Sequence, residues 1–365
     1  MKVGLIGLPL VGKTTLFNAL TRSNAETHAY GGRQDEVHLA VAPVPDERFD
    51  FAIEACHPKK EVPATVEFTD GGAKVSGEGK REAFSADFFA GVRAMDTLVL
   101  VLRAFEDDAI PAPPNGIDPG RDARNVLEEL LIADLTVISN RMEKLDKNRL
   151  LKRTTPAEAA EAQVLTKVQA HLEALQPVRT MEFTAEEERC IRSFAFVSGK
   201  PLILAANLSD GDTPGEAAIT ASLRELAKEQ GLQLVELCGK VEMEVAQMPA
   251  EDEKEFLEAL GIDEPARNRL IRAAYDALGY ISFFTVGEDE VRAWTIRQGT
   301  TAVGAAERIH TDIARTFIRA ETMAFEDFRA AGDWDAAKAA GKMRLEGKEY
   351  IVKDGDIVHI RNSKG

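Results

Sequence analysis

The chain has 365 residues, enough for two or three domains with sizeable cores. Its 44% hydrophobic and 29% charged content is that of a globular protein and excludes a largely disordered chain. With 45 Lys and Arg against 61 Asp and Glu, the net charge of −16 argues against non-specific coating of nucleic acid, although a local basic face can still dock on RNA. Cys56, Cys190 and Cys238 are scattered and odd in number, which suggests a reducing compartment and no disulfide framework. Without a Cys-x-x-Cys spacing, a structural zinc site is not indicated. No signal peptide and no long apolar run is visible, so a soluble cytoplasmic protein is expected.

The first predicted element is a short strand, Lys2 to Ile6. It runs into Gly7-Leu8-Pro9-Leu10-Val11-Gly12-Lys13-Thr14, and Thr15 then opens an amphipathic helix. A Gly-rich loop between a strand and a helix, ending in Gly-Lys-Thr, is a phosphate-binding loop in the setting that makes it work. Its backbone N–H groups and the helix N-terminus cradle a phosphate, Lys13 reaches the β and γ oxygens, and the Thr14 hydroxyl ligates Mg²⁺.

Further strands are predicted at Thr65 to Phe68, Thr97 to Leu102, Leu202 to Ala206 and Leu232 to Leu237, with helical patterns between several of them, as at Ala217 to Glu229. That alternation predicts an α/β fold with a mainly parallel sheet covered on both faces, and a ligand at the carboxyl ends of its strands. From Arg124 to Leu175 the pattern changes. Leu131, Leu135, Ile138, Met142 and Leu145 recur at helical spacing, as do Leu165, Val168, Leu172 and Leu175, with a reversal at Asn148 to Pro156. This reads as an antiparallel helical hairpin with a short heptad seam or, alternatively, as two surface helices of the main domain.

Asn207-Leu208-Ser209-Asp210 directly follows a strand and is a candidate base-reading loop, although the same residues make a good turn and helix cap. Near the end, Ile281 to Val286 and Val291 to Ile296 predict one β-hairpin. Tyr350 to Val352 and Ile357 to Ile360 predict another across the turn Lys353 to Asp356. With helices between them, these form a small α+β domain. The last 31 residues hold seven Lys and Arg against five Asp and Glu, a mildly basic edge that could face RNA.

Pro43-Val-Pro-Asp46, Val62-Pro-Ala-Thr-Val-Glu-Phe68, Ile117-Asp-Pro119, the run from Phe283 to Thr300, and Leu345 to Arg361 together resemble the YchF/Obg-like ATPase family, in order and over nearly the whole chain. The resemblance implies a P-loop GTPase-like nucleotide-binding domain at 1–123 and 193–280, an inserted helical coiled coil at 124–192, and a C-terminal TGS-like domain at 281–365. It implies a Mg²⁺-dependent NTPase using ATP or GTP, with ribosomes or another translation-related ribonucleoprotein as partner. Apart from the resemblance, no membrane association and a monomer are expected. Asn207, Leu208 and Asp210 take the place of the superfamily's guanine-reading motif. Leu208 replaces its lysine, and Asp210 suits guanine where the family usually has Glu. Leu237-Cys-Gly-Lys-Val-Glu242 resembles the last base-contacting loop, with the N–H groups of Cys238 and Gly239 able to approach the purine edge.

The same resemblance marks Lys13, Asp70 and Lys74 as candidate catalytic residues and Thr14 and Asp70 as the metal pair. Asp70 would hold Mg²⁺ through water, and Lys74 would stabilise developing negative charge, its alternative being a solvated loop position. Three positions depart from the family pattern. Leu10 stands where an Asn suited to a monovalent cation is usual, Gln34 falls at the place of a switch threonine, and Ala73 falls where a γ-phosphate-sensing glycine is usual. Two readings follow: a slow NTPase whose segments Ala25 to His38 and Asp70 to Glu82 switch with nucleotide, or a docking protein that binds nucleotide with negligible turnover.

Overall fold

The computed structural model describes residues 1–23, 38–70, 75–76, 83–259 and 264–363. The chain divides into two compact bodies, one formed by Met1–Ala40 with Glu67–Leu270 and the other by Val41–Val66 with Ile271–Gly365.

The first body is built on a six-stranded sheet. Its strands are β1 (Lys2–Ile6), β2 (His38–Pro43), β4 (Thr65–Asp70), β5 (Thr97–Ala104), β6 (Leu202–Leu208) and β7 (Gln233–Leu237), in the order β2-β4-β1-β5-β6-β7. Each pairing from β4 through to β7 is parallel. Every residue of β5 and β6 is buried, as a strand covered on both faces requires. Leu98, Leu100 and Leu102 of β5 and Leu204 of β6 pack with α3 (Ala86–Arg93), the first turns of α4 (Pro119–Leu150) and α6 (Ala221–Glu229). The helix after the phosphate loop, α1 (Lys13–Thr21), packs against α7 (Gly239–Ala246).

Helix α4 begins at Pro119, five residues before the Arg124 expected from the helical pattern. The Asp118 side chain accepts the Arg121 N–H at 2.9 Å, and Pro119 occupies the first turn, where its missing donor costs nothing. It runs 32 residues and turns back into α5 (Pro156–Glu173). The return is antiparallel, since Asn148 donates to Glu158 and Arg141 pairs with Glu161. The hydrophobic core of this hairpin joins Ile138, Leu145, Leu165 and Leu172 with Val178, Ile191 and Phe196 from the segment after α5, so the apolar stripe meets more than one partner. Asp134 of α4 ties the hairpin's base to the sheet body. Its carboxylate is fully buried and accepts Val197 N at 2.9 Å, Ser198 N at 2.8 Å and Ser198 Oγ at 2.7 Å. Burial pushes this carboxyl above the usual range, and those three donors only partly offset it.

The second body holds a sheet with β8 (Tyr280–Thr285), β9 (Val291–Arg297), β10 (Phe317–Met323), β11 (Arg344–Glu346) and β12 (Ile357–Asn362), and with β3 (Glu61–Val62) as its edge strand. The β8–β9 hairpin forms as its alternating pattern predicts. The second expected hairpin does not. Residues 350–352 contribute only a bridge between Ile351 and Thr301, and β12 pairs with β10 and β8 instead. One face packs on α8 (Ala302–Ile309) through Phe283, Ala305 and Val358. The other meets α2 (Glu47–Cys56), with Phe49 stacked on Phe284 and Phe51 edge-on to Phe325 and Phe328. Arg48 binds Asp46 and Asp354 and lies over the Phe284 ring. No helix among the described residues is long and apolar enough to cross a membrane.

Candidate nucleotide site

The loop Gly7 to Thr14 lies at the carboxyl end of β1, between β4 and β5, and its path needs unusual backbone angles. Gly7 has φ +150°, and a Cβ there would collide with the Val101 carbonyl. Gly12 has φ +90°, and a Cβ would collide with the Asn207 amide. Leu10, at φ +62°, adopts the left-handed region without glycine's freedom. Leu8 and Pro9 are half-buried within this turn, and Val11 is buried.

Lys13 and Thr14 open α1. Lys13 Nζ folds back on its own loop, donating to the Leu8 carbonyl at 2.8 Å and the Gly7 carbonyl at 3.2 Å. Burial lowers its pKa to about 8 against the raising effect of the nearby Asp70 carboxylate. Thr14 Oγ1 donates to Asp70 Oδ2 at 2.7 Å, and Asp70 is the buried last residue of β4. The structure therefore brings an ammonium, a hydroxyl and a carboxylate together at one mouth. Thr15 sits half-buried in the first turn behind them.

Asn207 closes the site from β6. Its Nδ2 donates to the Val11 carbonyl at 3.1 Å, and its Oδ1 accepts the Gly239 N–H at 2.8 Å. The Gly239 N–H is committed to Asn207, because a buried N–H at the start of α7 requires an acceptor. Leu208 is buried in the core of the first body, whereas Asp210 is exposed on the loop beyond it. Cys238 precedes α7, and burial pushes its thiol up, only partly offset by the N–H groups of Lys240 and Val241. Gln34, Ala73 and Lys74 lie outside the described residues, as does most of the two segments expected to switch.

Two residues that no motif marks also shape the site. Phe105 follows β5 with its ring edge 3.9 Å from where a Gly12 Cβ would stand. Arg103, buried at the end of β5, lies 4.8 Å from the Phe105 ring centroid. It donates to the carbonyls of Phe105, Ile110 and Pro111, holding that loop in place. The Glu106 N–H donates to Ser209 Oγ at 3.1 Å, joining the loop to the candidate base-reading segment. The only signal of this in the sequence is an aromatic residue directly after a strand whose carboxyl end faces the phosphate loop.

A Gly-rich loop between a parallel strand and a helix, with its lysine, threonine and a neighbouring strand's aspartate converging, defines a P-loop nucleotide-binding protein. Residues 2–140 match the family model of a 50S ribosome-binding GTPase. Residues 280–363 match the C-terminal model of YchF GTPases, described as a protein of unknown function (DUF933). The chain is 39% identical over 363 residues to the ribosome-binding ATPase YchF of Bacillus subtilis, covering 99% of each. It is 35% identical to the human Obg-like ATPase 1 over 369 residues, covering 99% of this chain and 92% of that one. The solved YchF GTPase of Schizosaccharomyces pombe superposes with a TM-score of 0.85 at 33% identity, over 99% of this chain and 97% of that one. The chain belongs to the YchF family of P-loop nucleotide-binding proteins.

Proposed function

We propose that the chain binds ATP or GTP with Mg²⁺, hydrolyses it slowly, and uses nucleotide state to control its docking on ribosomes. The observation that carries this reading is the Thr14–Asp70 hydrogen bond beside Lys13 Nζ. A hydroxyl and a carboxylate offer hard oxygen ligands, so the pair fits Mg²⁺. When bound, Mg²⁺ supplies charge neutralisation on the phosphate oxygens. The loop N–H groups and the start of α1 cradle the phosphates. Lys13 leaves the carbonyls of Gly7 and Leu8 and transfers its ammonium to phosphate oxygens. Asn207 holds the phosphate loop and the start of α7 in one register, so the purine and the triphosphate are read by a single rigid frame. Lys74 remains the candidate for charge stabilisation.

The switch reading draws support from chain connectivity. The stretch Val41–Val66 lies between the two candidate switch segments and packs within the second body. Rearrangement of either segment therefore pulls on a chain that is part of that body. The relatives named as ribosome-binding ATPases support the ribosome as partner. The competing reading, nucleotide binding with negligible turnover, is favoured by Leu10, an apolar side chain with nothing to offer a monovalent cation.

The test is ATP and GTP turnover measured side by side, with and without K⁺ and with and without ribosomes. Mg²⁺-dependent turnover that Lys13→Ala abolishes supports the NTPase. Tight binding with no turnover, ribosomes included, supports the docking protein instead.

A further inference from the structure

The tip of the α4–α5 hairpin carries a chemistry opposite to the rest of the chain. From Lys144 to Arg153 there are five Lys and Arg and one Asp, a local net charge of +4 in a protein of −16. All five cations are exposed. Arg149 pairs with Asp146, while Lys144, Lys147, Lys152 and Arg153 have no ion-pair partner among the described residues. Between them stand Leu150, 81% exposed, and Leu151, 61% exposed. Two adjacent leucines bare to water at the end of a long arm gain nothing from this fold.

The turn that presents them is closed by its own hydrogen bonds. The N–H groups of Leu151, Lys152 and Arg153 donate to the carbonyls of Lys147, Arg149 and Asn148. Asn148 Nδ2 donates to Glu158, whose other oxygen accepts the Thr155 N–H in a reciprocal cap at the start of α5. From the anchor at Asp134, sixteen residues of helix carry the tip about 24 Å outward at 1.5 Å per residue.

We infer that this tip is a docking surface for structured RNA, with Lys144, Lys147, Arg149, Lys152 and Arg153 on backbone phosphates and Leu150 and Leu151 against sugar and base surface between them. Unpaired cations on both sides of a short apolar ridge suit a helical RNA backbone flanking a shallow minor groove or an unstacked base. The acidic remainder repels a polyanion, so the charge asymmetry orients the chain tip-first. The inference rests on the ribosome-docking reading for the source of the RNA, and adds the segment that touches it.

The experiment uses the full chain and a fluorescein-labelled RNA stem–loop, with sedimentation on purified ribosomes in parallel. The Lys147→Glu, Arg149→Glu, Lys152→Glu triple variant should lose tenfold or more in stem–loop affinity. Its plot of log affinity against log salt should flatten by about 0.7–0.9 for each phosphate the variant no longer neutralises. Leu150→Ala with Leu151→Ala should weaken binding several-fold with the salt slope unchanged. Thermal melting and nucleotide titration of each variant should match the parent chain, which separates a docking defect from misfolding. Unchanged stem–loop affinity in the triple variant overturns the inference. So does loss of ribosome sedimentation with stem–loop affinity retained, which would assign the tip to an acidic protein surface. Stem–loop binding through the tip by a parent chain that does not sediment with ribosomes sustains the inference and sinks the ribosome reading.

Discussion

The Gly239 N–H donates to Asn207 Oδ1 at 2.8 Å, and the same side chain reaches Val11 of the phosphate loop with its amide nitrogen. One buried side chain thus sets the spacing between the loop that takes phosphate and the helix beside the candidate base loop. Asn207→Ala leaves a buried donor and a buried acceptor unpaired, and should cost about 2–4 kcal/mol of stability at about 1–2 kcal/mol for each orphaned group. Asn207→Asp keeps an acceptor for Gly239 but cannot donate to Val11, and should fall between the parent chain and the Ala variant. Denaturant unfolding of both variants checks the order.

Gly12 faces the opposite problem. Its left-handed backbone and the Asn207 amide beside it both reject a Cβ. Gly12→Ala should destabilise the apo chain by about 1–3 kcal/mol and reduce nucleotide affinity at least tenfold. Melting and titration of the same preparation test the two effects together.

Leu10 is a left-handed residue with an apolar, γ-branched side chain, whereas Asn tolerates that region far better. Leu10→Asn should therefore stabilise the apo chain by about 0.5–1 kcal/mol, raising its melting midpoint by a few degrees. If it also makes turnover respond to K⁺, the side chain at position 10 is what the parent chain lacks for a cation.

Lys13 predicts a pH signature. Burial holds its ammonium at about pKa 8 in the free protein, and a bound phosphate raises it. Below pH 8 the charge is already present and affinity is flat. Above pH 8 binding must take up a proton, so affinity should fall, approaching tenfold per pH unit until the bound-state pKa is reached. Calorimetry at pH 8.5 in two buffers of different ionisation enthalpy should register proton uptake. Equal heats in the two buffers would contradict it.

Asp134→Ala should cost about 3 kcal/mol or more, because it strands two buried N–H groups and a hydroxyl at the hairpin's base. Limited proteolysis should then cut near residues 195–200 faster than in the parent chain.

Much of this architecture is legible in the sequence because its signals are local. The strand from Lys2, the Gly7 to Thr14 loop, the leucine-spaced helices of the hairpin and the β8–β9 hairpin each carry their own pattern. What stayed hidden depends on distance along the chain. Asn207 shows itself as a brace only once Val11 and Gly239 are beside it. Arg103 and Phe105 belong to no motif. The placement of Val41–Val66 in the second body turns on a two-residue strand and on rings more than two hundred residues away, neither of which has a periodicity to read.

Nucleotide binding through Lys13 and Mg²⁺ is measured by calorimetric titration of the parent chain and Lys13→Ala with ATP and with GTP, each in the presence and absence of Mg²⁺. Mg²⁺-dependent binding of at least one nucleotide to the parent chain, and of none to the variant, is the expected result. Equal affinity in the two proteins would contradict it.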